Sequence, residues 1–197
     1  MGRGEKLKGP LDGIRYPPLS GPGPCGLRPE HMEAVLRGRR AVGIRMGRML
    51  KELMARGASG DLPKVARWIL GSSLTFLDKP GKEAPRPIRA GEYWRKIITK
   101  AMIRDTKCKV QALMIKYGQY GVALPGGAEA AFHARWAVEE LLRTDESKQW
   151  VVVDVDLVNC FGQFEWDSIR EAYQEVLPEM LDWERWCDEE EQPIQLP

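Results

Sequence analysis

Long apolar runs are missing from this chain. No stretch approaches the roughly 20 consecutive apolar residues that a membrane-spanning helix requires, so no membrane role is expected. The N-terminus, Met1-Gly-Arg-Gly-Glu-Lys-Leu-Lys8, lacks the apolar centre of a secretory signal. Its Met-Gly start is not read as a myristoylation site, because Lys6 stands where Ser or Thr is needed. Histidine is scarce, with only His31 and His133. The four cysteines, Cys25, Cys108, Cys160 and Cys187, lie 83, 52 and 27 residues apart. No pair has zinc-ligand or redox spacing, which argues against a zinc cluster and for free thiols in a reducing compartment. Internal repeats are also lacking.

What is present suits a folded protein. In 197 residues, 43% are hydrophobic and 29% charged, enough apolar content for one core and too much for wholesale disorder. The net charge of +2 hides a division: residues 1–120 carry a net +15 and residues 121–197 a net −13. A basic front half suggests polyanion binding, and the acidic back half holds carboxylates suited to a cation. A solvated surface with accidental asymmetry is the plainer reading. It is the better one for Asp188-Glu-Glu-Glu191.

Residues 1–28 are punctuated by Gly and Pro and read as a flexible lead-in. From Pro29 a helical period begins, with Met32, Val35 and Leu36, then Met46, Met49, Leu50 and Leu53. Gly38, Gly43 and Gly47 weaken this period and predict a break near 38–43. Arg37, Arg39, Arg40, Arg45, Arg48 and Lys51 crowd this stretch, as a solvated face or as nucleic-acid contacts. Pro63 opens a short helix that Gly71 ends. The segment 73–90 predicts a hairpin or looser extended loop, because Lys79-Pro-Gly-Lys82 fits a type II turn. Residues 91–116 read as a helix with Trp94, Ile97, Ile98, Ala101 and Met102 on one face and Lys96, Lys100, Arg104 and Lys107 on the other. A glycine-rich loop follows at 118–127. Then comes a helix over about 128–143 with Ala131, Ala134, Val138, Leu141 and Leu142 inward, a strand at 150–157 and a helix over 166–176. Three regions are expected: the lead-in 1–28, a basic helical region 29–149 and an acidic region 150–197.

The strand Val151-Val-Val-Asp-Val-Asp-Leu-Val-Asn-Cys-Phe161 sets two carboxylates among β-branched residues. Alternate residues of a strand share a face. Asp154 and Asp156 would therefore face a cleft while Val153, Val155 and Leu157 pack on helices. Such oxygens suit Mg²⁺, which can anchor a triphosphate; a strand edge with solvated acids is the competing reading. Upstream, Lys79, Lys82, Arg86 and Arg89 share one short segment. Lysine offers phosphate a point charge and arginine a bidentate fork, so this hairpin could close over a triphosphate as a lid. Cys160 reads as a small packed residue beside the site.

Taken in order, these pieces resemble the fingers and first palm segment of reverse transcriptases of the non-LTR retrotransposon type. The residues that carry the resemblance are Gly23-Pro-Cys-Gly-Leu-Arg-Pro-Glu-His31, Leu77-Asp-Lys-Pro-Gly-Lys82 with Arg86-Pro-Ile88, Tyr117-Gly-Gln-Tyr-Gly-Val122, Pro125-Gly-Gly-Ala-Glu-Ala130 and Val153 to Phe161. Together they cover roughly residues 22–185. The resemblance implies a helix-rich α+β fold, the fingers and an incomplete palm of a right-hand polymerase. It implies RNA-directed DNA polymerase activity, a nucleotidyl transfer dependent on Mg²⁺, with an RNA template, a DNA primer and dNTP as partners. Asp156 would be the catalytic metal-binding aspartate, the Leu157 carbonyl a second metal ligand and Asp154 an accessory carboxylate. Phe161 would stack under the sugar and exclude a 2′-hydroxyl. Asn159 and Cys160 would offer backbone amides to the triphosphate, and Lys79, Lys82 and Arg86 would contact its phosphates. An intracellular site of action, nucleus or cytoplasm, follows from the resemblance alone.

The chain departs from the family pattern in one respect that matters for chemistry. It contains no Asp-Asp pair, and 36 residues follow Phe161. Two-metal chemistry draws ligands from both palm segments, so a fragment inactive by itself is expected. A non-catalytic nucleic-acid-binding remnant of such a polymerase is the alternative.

Overall fold

The computed structural model describes residues 11, 14, 16–17, 19–78, 81, 85–144, 151, 153, 155, 157, 163–188 and 194–195. The architecture is helix-rich α+β. In chain order it comprises α1 (Pro29–Arg37), α2 (Arg40–Ala58), a 3₁₀ segment (Lys64–Leu70), β1 (Ser72–Leu77), β2 (Arg86–Gly91), α3 (Tyr93–Lys116), α4 (Gly127–Thr144), α5 (Trp166–Val176), α6 (Leu181–Asp188) and β3 (Ile194–Gln195). No helix among the described residues is long and apolar enough to cross a membrane. The chain divides into two compact units, one of Met1–Arg104 with Tyr173–Pro197 and one of Asp105–Ala172.

In the first unit the proline and glycine signals act as expected. Pro29 occupies the first turn of α1, where its missing N–H costs nothing. Gly38 and Arg39 separate α1 from α2. Met32 and Leu50 are buried, and Leu36, Met46 and Leu53 pack against them. Val35 and Met49, expected on the same face, lie at its edge and are exposed. The hairpin is formed as an antiparallel ladder running from Ser72 opposite Gly91 to Leu77 opposite Arg86. Gly81 has φ +75°, the left-handed geometry a type II turn needs at its third position. A two-residue β3 pairs parallel to β1 on the other side.

The core of this unit is built on the first turns of α3. Ile97, Ile98, Ala101 and Met102 are buried, as their helical spacing predicts. Gly57 lets α2 approach them: a Cβ there would stand 2.8 Å from Ile98 Cδ1. The third wall is α6. Trp183 and Trp186 stack with ring centroids 5.4 Å apart. Each indole N–H is satisfied, Trp183 by Thr99 Oγ1 at 3.0 Å and Trp186 by the Leu62 carbonyl at 2.9 Å.

Burial raises the pKa of three groups in this core. Tyr93 is pushed up to about 12, by desolvation first and by Glu33 second. Tyr16 moves up for the same leading reason, with Tyr93 adding to it, and the Cys187 thiol is pushed up to about 12, chiefly by burial. A raised folded-state pKa gives stability that is complete below the unfolded value and is lost as pH rises through the folded one. For Tyr93 that window runs from 10.0 to about 12. Its hydroxyl has no hydrogen-bond partner among the described residues. Tyr93→Phe should therefore cost little at neutral pH and should move the alkaline unfolding midpoint upward. Far-UV circular dichroism between pH 8 and 12 checks this, and a downward shift would contradict it.

The second unit departs from expectation at two places. The helix predicted over 128–143 forms as α4, but Ala134, Val138 and Leu141, expected inward, are exposed, while Ala131 and Leu142 are half-buried. Phe132 and Trp136 are exposed as well. The strand expected at 150–157 is not formed at its described positions. Val151, Val153, Val155 and Leu157 are in no ladder and are 64–83% exposed. A strand needs a neighbour to satisfy its backbone groups and a face to bury, and among the described residues 105–172 contain no other strand. The glycine loop is ordered locally: Gly118 and Gly126 have positive φ, and Gln111 Nε2 donates to the Ala123 carbonyl at 2.8 Å.

Candidate nucleic-acid interface

The described residues form one chemically distinctive feature in the first unit, a basic groove at the foot of the hairpin. It is a shallow, widely open depression of about 490 Å³ between the end of β2 and the first turns of α3, with a mostly apolar wall. Arg89, Arg95, Lys96, Thr99, Lys100 and Ile103 line it. Their convergence follows from two local periods. Along β2, Arg89 lies on the opposite face from Arg86 and Ile88. Along α3, Arg95 and Thr99 are one turn apart, as are Lys96 and Lys100, so both pairs are neighbours on the helix surface.

The groove is braced from below and from the side. Arg89 Nε donates to Ser72 Oγ across the ladder. Glu92 N–H donates to the Gly71 carbonyl at 3.0 Å, which joins the base of the hairpin to the start of α3. The Glu92 carboxylate is buried and accepts from Cys25 N–H and Cys25 Sγ, each at 2.7 Å. Gly23 makes that docking possible, since a Cβ there would stand 2.6 Å from Glu92 Cα. Lys96 Nζ donates to the Gly21 carbonyl at 3.0 Å, and Lys100 Nζ sits 4.2 Å above the Tyr16 ring. Tyr16 and Gly21 of the lead-in thus hold the two lysine side chains in place.

Electrostatically the cations crowd one another. Desolvation lowers the pKa of Arg89, and Arg95 lowers it further. Desolvation also lowers that of Lys96; Glu92 opposes this and Lys100 adds to it. No carboxylate lines the groove.

The residues singled out in the sequence fall differently. Arg86 is exposed at the start of β2, opposite Leu77. Leu157 is exposed. Lys79, Lys82, Asp154, Asp156, Asn159, Cys160 and Phe161 lie outside the described residues. Among the described residues, no group of three or more His, Cys, Asp or Glu side chains could hold a metal ion. Arg95 and Thr99 went unnoticed in the sequence. The i,i+4 doublet of Arg95-Lys96 with Thr99-Lys100 directly after a basic hairpin was the available signal.

No protein-family model, no curated protein and no solved structure matches the chain.

Proposed function

We propose that this chain carries the nucleotide-binding front part of a template-directed DNA polymerase of the reverse-transcriptase type. The observation that best supports this is the basic hairpin: an antiparallel ladder with a left-handed glycine at its tip, Arg86 at its exposed end and the long helix α3 directly after it. Lys79, Lys82 and Arg86 hold the phosphates of a dNTP. Asp156, with the Leu157 carbonyl and Asp154 as accessory, would hold Mg²⁺, which would supply charge neutralisation for a triphosphate. Asn159 and Cys160 offer backbone amides, and Phe161 bounds the sugar. RNA template and DNA primer are the macromolecular partners. With no Asp-Asp pair in it, the chain binds nucleotide without turning it over.

Phe161 gives this reading a specific test. The full chain should bind Mg·dUTP more tightly than Mg·UTP, and Phe161→Val should erase the difference by admitting the 2′-hydroxyl. Equal affinities in the unsubstituted chain, measured by calorimetric titration, would remove the assigned role.

A second reading, a nucleic-acid-binding module without catalysis, is favoured by the groove at the hairpin's foot. Four cations and no carboxylate are what a phosphate backbone needs, and no metal or reacting nucleotide is required.

A further inference from the structure

We draw no further inference here: the strongest candidate, the apolar surface patch that Phe132, Trp136, Val138 and Leu141 of α4 expose in the second unit together with Val151, Val153 and Val155, carries none, because nothing in the structure shows what covers it.

Discussion

Trp183→Ala should destabilise the first unit by about 3–5 kcal/mol, the cost of truncating a fully buried large aromatic. Trp183 is only 3% exposed and stacks on Trp186 with ring planes 10° apart. Its indole N–H donates to Thr99 Oγ1, which ties α6 to the side of α3 that leads into the basic groove. Removing the ring opens a cavity against α3 and deprives Trp186 of its stacking partner. A domain's whole stability is about 5–15 kcal/mol, so the variant should show a much lower urea midpoint or fail to fold. Trp183→Phe separates the two contributions. It keeps much of the apolar bulk and loses the hydrogen bond, which is worth about 1 kcal/mol. Urea unfolding followed by circular dichroism reads both. A Trp183→Ala midpoint equal to that of the unsubstituted chain would show that α6 is not part of this core.

Replacing Lys79, Lys82 and Arg86 together by alanine should weaken Mg·dTTP binding by about a hundredfold or more. Each charge-assisted hydrogen bond to a phosphate is worth about 1.5–3 kcal/mol. The three act on one triphosphate, so their losses will not add simply. Arg86 is exposed at the end of the ladder, and Leu77 opposite it fixes where its backbone lies. Arg86 lies outside the hydrophobic core. Stability should therefore stay within a few tenths of a kcal/mol of the original, as for ordinary surface substitutions.

Much of the first unit was legible because its signals are local. Pro29 and Pro63 mark helix starts through fixed φ and absent N–H groups, Gly38 caps the end of α1, and Gly81 marks the turn through its positive φ. The buried face of α3 is visible as Ile97, Ile98, Ala101 and Met102 at helical spacing. The role of α6 was not legible. Its two tryptophans find partners 84 and 124 residues away, and periodicity carries no information about such pairings. The groove was half legible. Lys96 and Lys100 read as a solvated helix face, and only the crossing of β2 and α3 shows that Arg89 and Arg95 join them.

In the second unit periodicity predicted more burial than occurs. The apolar stripe of α4 identifies a helix correctly, but Val138 and Leu141 remain exposed. Val151, Val153 and Val155 have strong strand propensity and no ladder partner among the described residues. Propensity of that kind expresses the fit of a side chain to a half-buried sheet, and without the sheet it is not realised. The carboxylates Asp154 and Asp156 stand out in the sequence as a pattern, and they lie outside the described residues.

The most direct measurement is a calorimetric titration of the full chain with dTTP, with and without Mg²⁺, repeated on the Lys79→Ala, Lys82→Ala, Arg86→Ala variant and on Asp156→Asn. A polymerase-type nucleotide site predicts binding that requires Mg²⁺, a loss of about a hundredfold or more when the hairpin charges are removed, and loss of the Mg²⁺ dependence in Asp156→Asn. Binding that ignores Mg²⁺, or that both variants retain unchanged, would contradict it.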